Sequence, residues 1–333
     1  MGASFLVAVT FVLISAVTSE RPHPGSGLEV SAEGFVYVAD VARETIWRIA
    51  PDGTVEPLVQ HAWTHEFHLL DREGPDGEPA GTLVYEREHT GRERAPQSVN
   101  QILPDGERRV LIPPPPDRAR FGSNAFFRGP DGVVTFAHTV RGVDGKWRAI
   151  IRQRDPDDHD GSRVRTIAGS LEGPLYRDGP ALHATFRMIL DIRQLADGTI
   201  VLLDRDRVRR LVPDGAGSFT THTQGSSLID TPPKDPPTRG GPETTWNRLY
   251  GLAVDADGNA LVAYHGGRRV LRITPEGAIS TIHDSGRRWA PLGVASGPNG
   301  EVYVSEIADR GGRLRVLRLK QEVPEIVATI PPE

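Results

Sequence analysis

The sequence predicts an all-β protein, a six-bladed β-propeller of four-stranded antiparallel blades. Three observations predict it. Apolar or alternating runs of about five residues recur between turns built on Asp-Gly, Pro-Asp-Gly and Pro-Glu-Gly. These runs group into six successive units of four. No stretch beyond the N-terminus carries a helical period of any length. A unit of four short strands cannot cover both of its own faces. Six of them stacked in a ring cover one another and leave no long edge.

Residues 249–282 show the unit in full. LYGLAV meets the turn Asp255-Ala256-Asp257-Gly258, then ALVAYH, the turn Gly266-Gly267, RVLRI, the turn Pro275-Glu276-Gly277, and AISTI. Glycine supplies the positive φ that such turns need, and proline presets the residue that opens them. The first unit runs from Gly27 to about Val59, with VYVAD, TIWRI and the turn Pro51-Asp52-Gly53. The second, His65 to Ile112, carries a polar insertion at Asp71–Ala80 and ends in four prolines, Pro113–Pro116. The third starts near Asn124 and holds VVTFAH, KWRAIIRQR and VRTIAG, with an acidic loop at Asp155–Gly161. The fourth reads MILDIRQL, TIVLLD, RVRRL and SFTTHT, and the sixth LGVAS, EVYVSE, RLRVLRL and EIVATI. A Pro/Gly/Thr-rich loop, about Gln224 to Thr245, precedes the fifth. Each unit contains all four of its strands, so the ring is expected to close by packing the last blade on the first.

Residues 1–19 are mostly apolar and uncharged. The run from Phe5 to Val17 is short for a bilayer span but suits a secretion signal, with Val17-Thr18-Ser19 before the cleavage point, although the first residues hold no Lys or Arg. The expected organisation is a signal peptide at 1–19, a lead-in at 20–26 and the propeller at 27–333, in a secreted or periplasmic monomer with no stable membrane span. The chain's 333 residues suffice for a sizeable core, and 36 Gly and 28 Pro suit a protein of turns. A net charge of −5, with neither sign in blocks, provides no basic face for nucleic acid. The chain has no cysteine, which excludes disulfides, thiolate metal sites and a lipoprotein anchor.

The unit GLAVDADGNALVAYHGGRRVLRITPEG resembles an NHL repeat, as does GLEVSAEGFVYVADVARETIWRIAPDG. Residues 166–186, TIAGSLEGPLYRDGPALHATF, resemble the linker between blades of exported NHL-repeat proteins. The resemblance covers nearly all of the chain after the signal peptide and implies the propeller fold. Related propellers include binding scaffolds, sensor ectodomains, an amidating lyase, gluconolactonase-type lactonases and strictosidine-synthase-like enzymes, so it does not choose a function.

The end of the second strand of each unit is Asp40, Glu86, His138, Asp204, His265 and Glu306. Six equivalent positions filled only by Asp, Glu and His make a ring of candidate metal ligands or acid/base groups near the channel mouth. Imidazole with carboxylate suits Zn, Mn or Fe, and carboxylate alone suits Ca. The structural alternative is that these side chains, Asp40 and Asp204 above all, accept backbone N–H bonds in the following turn. The strands entering from the same face add His65, Glu66 and His68 in WTHEFHL, Asn124, and Asn247, Arg248 and Tyr250 in WNRLYG. His65-Glu66-Phe67-His68 lacks the spacing of the helical HExxH zinc motif. On a strand, Glu66 and His68 share one face and His65 takes the other. The alternative for His68 is burial between blades.

Phosphate-binding loops, a GxGxxG turn and a GxSxG elbow are missing. The gluconolactonase pattern asks for a Glu entering the first blade and an Asn-Asp-Gly stretch, and Glu29 lies inside LEV rather than before it. The amidating-lyase pattern uses three His on different blades with Arg and Tyr nearby. His68, His138 and His265 with Arg248 and Tyr250 match it in residue type. Two readings stand side by side. One is a propeller that binds a small molecule, protein or peptide at its channel-mouth face. The other is a metal-dependent lyase or hydrolase. There the metal ligands come from His68, His138, His265, Glu86 and Asp204, the general base is Glu66 or Glu306, and Arg248 holds an anionic group beside Tyr250.

Overall fold

The structure is a computed structural model that describes residues 26–60, 64–70, 73–74, 77–87, 98–112, 125–129, 131–142, 144–155, 164–225, 228, 249–309, 312–320 and 323–331. Blade 1 is β1 (Leu28–Val30), β2 (Val36–Asp40), β3 (Thr45–Ile49) and β4 (Val55–Gln60). Blade 2 is β5 (Phe67–Leu69), β6 (Leu83–Arg87), β7 (Ser98–Ile102) and β8 (Arg108–Ile112). In blade 3, β9 (Phe126–Arg128), β10 (Val134–Arg141), β11 (Trp147–Arg154) and β12 (Val164–Ala168) follow in order. Blade 4 has β14 (Ile189–Gln194), β15 (Ile200–Asp204), β16 (Arg207–Pro213) and β17 (Phe219–Gln224), with β13 (Gly179–Pro180) added outside β17. Blade 5 holds β18 (Leu249–Val254), β19 (Ala260–Tyr264), β20 (Arg269–Ile273) and β21 (Ile279–Asp284). Blade 6 ends the ring with β22 (Trp289–Ser296), β23 (Val302–Ala308), β24 (Leu314–Lys320) and β25 (Val323–Ile330).

The expected architecture holds: every blade is one contiguous antiparallel meander, and no strand is exchanged between the two ends of the chain. The repeated turns share one chemistry. Asp52, Asp105, Asp131 and Asp197 each accept, through Oδ1, the N–H two residues on. The glycine after each has φ between 80° and 89°. The carboxylate fixes the turn while the glycine relieves it.

Six apolar clusters fill six seams, each between two neighbouring blades. The second strand of a blade is buried on both faces. Val201 and Leu203 of β15 face blade 5, whereas Ile200 and Leu202 face blade 3. This is why IVLLD reads as a continuous apolar run, with each large side chain contributing about 1.5–3 kcal/mol by burial. The ring closes where β22 meets β1. A Cβ at Gly293 would lie 2.5 Å from the Ser26 carbonyl oxygen and 2.8 Å from Leu28 Cβ, so only glycine permits this approach. The first strands β1, β5, β9, β14, β18 and β22 form the inner edge of each sheet, and they are the strands that meet their counterparts in adjacent blades around the axis.

The segment resembling an inter-blade linker is built into blades 3 and 4. Phe186 bridges to Ala149, Thr185 to Arg177, and β13 pairs with β17. Arg209, fully buried, donates to the Thr185 and Arg177 carbonyls and to Asp178 at 2.6 Å, with its guanidinium over the Phe186 ring. Tyr176 donates to Asp206 at 2.8 Å under the Arg207 guanidinium, and its hydroxyl is pushed up to about 12, first by burial and then by the Asp206 bond. The apolar N-terminal segment read as a signal, the acidic stretch beyond Asp155, the four prolines, the Pro-rich stretch, Asn124, Asn247 and Arg248 lie outside the described residues. Among the described residues no helix is long and apolar enough to cross a membrane.

Candidate functional site at the propeller axis

A propeller's innermost strands have one edge without a strand partner, so their N–H and C=O groups face the axis and need other partners. Here side chains supply them across blades. His68 of β5 places Nε2 2.5 Å from the Phe126 carbonyl of β9, and Asp191 of β14 accepts the Leu252 N–H of β18 at 2.7 Å. These two residues begin a charged centre that draws on three inner strands or their approaches: Glu29 of β1, Glu66 and His68 at β5, and Asp191 with Arg193 of β14. Counting the two backbone groups, it ties together five of the six blades.

Arg193 is the hub. Its Nη1 donates to Asp191 Oδ1 at 2.5 Å, to the Ile192 carbonyl at 2.8 Å and to Glu66 Oε1 at 3.2 Å, while Nη2 lies 3.8 Å from Glu29 Oε1. Burial opposes its charge, but the carboxylates of Asp191, Glu29 and Glu66 outweigh burial and raise its pKa. Glu29 Oε1 also lies 3.2 Å from His68 Nδ1. Asp191, Glu66 and His68 are buried, and Glu29 and Arg193 retain solvent contact with side chains 23% and 12% exposed. Burial first, and the neighbouring Asp191 carboxylate second, hold the Glu66 carboxyl well above its usual range against the pull of Arg193. The general-base candidate of the sequence thus sits between the Asp191 carboxyl and the Arg193 guanidinium, with its affinity for a proton raised by burial. No N–H or hydroxyl group reaches its buried Oε2, and a proton on Glu66 is shared with the neighbouring Asp191 carboxyl.

His68 faces two acceptors, a carbonyl oxygen and a carboxylate. Both contacts are hydrogen bonds only if the His68–Glu29 pair holds the proton between them, as imidazolium with carboxylate or as imidazole with carboxylic acid. Either way the pair is neutral overall, and no lone pair of His68 is left open toward the axis. Glu66 and His68 both reach this centre, and the backbone carbonyl of His65 accepts the Ser26 and Gly27 N–H groups at 2.8 Å.

The ring at the ends of the second strands lies one strand out from the axis, and Asp40, Asp204, His265 and Glu306 have partners of their own. Asp40 accepts Arg43 N–H at 3.2 Å and Arg43 Nη1 at 2.8 Å, the turn role given as the structural alternative. Asp204 accepts the Arg187 and Met188 N–H groups at 3.0 Å and Arg209 at 3.3 Å. Burial nevertheless lifts its carboxyl to about 6. His265 sets Nδ1 3.2 Å from the Pro291 carbonyl and its ring edge-on to Tyr250, 5.3 Å between centroids, and burial lowers it to about 4. Glu306 is fully buried between His283 at 2.9 Å and Arg315 at 2.6 Å, with Arg315 lying over Trp289. His138 is half-buried on β10, and Glu86 occupies the matching register of β6. Among the described residues no three His, Asp or Glu side chains converge to hold a metal ion. His68, His138 and His265 belong to blades 2, 3 and 5.

Asp191 and Arg193 are not among the sequence candidates, and the place of Glu29 inside LEV sets it aside there. Their signal is present in MILDIRQL: two charges at i and i+2 interrupt an inner strand whose counterparts, LYGLAV and LGVAS, carry none there. His283, an outer-strand residue, becomes the partner of Glu306 only because blades 5 and 6 pack together.

No family model and no curated protein matches the chain. Solved structures do. A calcium-binding protein, regucalcin from Agrobacterium tumefaciens, aligns with a TM-score of 0.56 at 13% identity, over 94% of this chain and 95% of that one. A gluconolactonase from Xanthomonas campestris gives 0.52 at 13%, covering 84% and 82%. A streptogramin B lyase gives 0.51 at 15%, covering 92% and 83%. The likeness is one of fold. The architecture implied by the NHL resemblance therefore stands, in a propeller whose relatives in shape differ in what they bind and catalyse.

Proposed function

We propose that this propeller binds a small polar molecule at its axial charged centre. One observation carries the reading. Glu29, Glu66, His68, Asp191 and Arg193 converge at the axis from three blades, bonded to one another or to backbone, while no N–H or hydroxyl donor reaches the buried Oε2 of Glu66. Leaving such an atom unpaired costs about 1–3 kcal/mol, and a ligand that bonds it recovers that cost. The partial exposure of Glu29 and Arg193 keeps the centre in contact with solvent.

A lyase or hydrolase is the second reading, favoured by the pairing of Glu66, its carboxyl raised by burial, with a second carboxyl, Glu29, on the same guanidinium. Two carboxyl groups in unlike environments are the usual way to obtain an acid and a base in one site. Glu66 would then give a proton and Glu29 accept one. In this reading the metal-dependent form, with His68, His138, His265, Glu86 and Asp204 as ligands, would need an arrangement of donors beyond the contacts described. The apolar run Phe5–Val17 supports export, which N-terminal sequencing of the mature protein tests.

The deciding experiment is a thermal-shift screen of small molecules against the wild type and Glu66→Ala. Ligands that raise the wild-type Tm but not that of the variant support the axial site. Hits that stabilise both proteins equally would move the site elsewhere.

A further inference from the structure

The axial centre holds the residue types that a divalent cation takes: the carboxyls of Glu29, Glu66 and Asp191 and the imidazole of His68, brought together from three blades. A cation of the chain's own already stands among them. The Arg193 guanidinium lies 2.5 Å from Asp191, 3.2 Å from Glu66 and 3.8 Å from Glu29. Its Nη1 is also bonded to the Ile192 carbonyl, so the group is folded back on its own strand β14. Swinging it away from the centre would break that bond together with the one to Asp191.

The atoms that could ligate a metal are engaged in the same network. Asp191 gives Oδ1 to Arg193 and Oδ2 to the Leu252 N–H. Glu66 gives Oε1 to Arg193, and its carboxyl is bonded to that of Asp191. Glu29 Oε1 lies between Arg193 and His68. His68 turns Nε2 to the Phe126 carbonyl and Nδ1 to Glu29, so both ring nitrogens are taken. A dication entering this set would displace these bonds and meet the guanidinium at a few ångströms, where like charges screened by little water repel strongly. The carboxyls, for their part, cannot face one another at the axis without a cation between them. Arg193 is that cation.

We infer that Arg193 stands in place of a divalent cation, holding Glu29, Glu66 and Asp191 together from within the chain, and that the axial centre neither needs nor takes a metal. Arg193 is thereby a positioning residue, with the carboxyls as the groups it positions. The inference concerns how the site is held and does not depend on which molecule binds there. It also narrows the second reading: a lyase or hydrolase at the axis would draw on Glu29, Glu66 and Arg193.

The test is elemental analysis and thermal unfolding of the full chain after exposure to calcium or manganese ions, with circular dichroism as the control for folding. The wild type is expected to retain neither ion after dialysis and to keep its Tm in about 1 mM of either. Arg193→Ala removes the guanidinium from a position that has contact with solvent and leaves the three carboxyls without their cation. Its Tm is lower than that of the wild type, and about 1 mM calcium or manganese raises it by about 3 °C or more, with about one ion bound per chain. Adding Glu29→Gln to Arg193→Ala abolishes that gain. A wild type that keeps about one ion per chain, lost in Glu29→Gln, overturns the inference, as does a folded Arg193→Ala that gains nothing from either ion. If Arg193→Ala does not fold, Arg193→Gln takes its place, and the wild-type result decides on its own. Repeating the ligand screen in EDTA keeps this inference apart from the axial binding site. Glu66-dependent hits that vanish in EDTA overturn the metal-free centre and leave axial binding intact. Absence of Glu66-dependent hits removes the axial ligand and leaves the role of Arg193 to the metal measurements, which decide it.

Discussion

Asp204 and His265 occupy the same position in blades 4 and 5, and burial moves them in opposite senses. The perturbation is to remove each in turn, as Asp204→Asn and His265→Phe. Asp204 is lifted from an ordinary 3.8 to about 6, and His265 is lowered from 6.5 to about 4. Each shift of two units or a little more corresponds to about 3 kcal/mol of linked stability. The signs differ. The folded-state pKa of Asp204 stands above its unfolded value, so its contribution is complete below pH 3.8 and is lost as the pH rises through about 6. That of His265 stands below its unfolded value, so its contribution is complete above pH 6.5 and is lost as the pH falls toward about 4. Between about pH 4 and 6 the two slopes oppose each other in the wild type. Urea unfolding at closely spaced pH values across this window separates them. As the pH falls from 6.5 to about 4, the stability of the wild type relative to His265→Phe drops by about 3 kcal/mol, and relative to Asp204→Asn it rises by about 3 kcal/mol. Only slopes are compared, so a constant cost of either substitution cancels. If both variants run parallel to the wild type within about 0.5 kcal/mol, the burial of these two side chains does not control their ionisation and the reasoning fails.

Three further outcomes follow from the packing. Arg193→Met strands the Asp191, Glu66 and Glu29 carboxyls around an apolar group and should cost about 3–5 kcal/mol at neutral pH, less in mild acid where the acids protonate; a loss under about 1 kcal/mol in urea titration would show the centre to be well hydrated. Gly293→Ala drives a methyl into the Ser26 carbonyl at the closing seam and should cost about 1–3 kcal/mol, read as a lower Tm by calorimetry. Tyr176→Phe removes the bond to Asp206 that pins the linker to blade 4, a loss of about 1 kcal/mol accompanied by faster proteolysis near Arg177.

The blades were legible because their signals are local. Asp-Gly and Pro-Glu-Gly turns state where the chain reverses. A run such as IVLLD states that both faces of a strand are buried. The second-strand ring was legible as a pattern but not as chemistry. Asp40, Asp204, His265 and Glu306 repeat at one register position, yet each finds partners inside or next to its own blade. Nothing in VYVSE announces that His283, 23 residues upstream, will lie 2.9 Å from Glu306.

What the sequence by itself determined is the unit: four strands, their turns, six repeats, and so a ring, because each step depends on contacts within about 35 residues and on the apolar faces that neighbours must cover. What only the tertiary structure decided is which charged side chains meet at the axis. Glu29, Glu66 and Arg193 are separated by up to 164 positions in the chain, and the two carboxyls come within 3.8 Å of the one guanidinium only after the ring closes. The reason is physical. Strand periodicity fixes the face a side chain takes, while the distance across a propeller's centre is set by how closely six sheets can pack, which glycines such as Gly293 control.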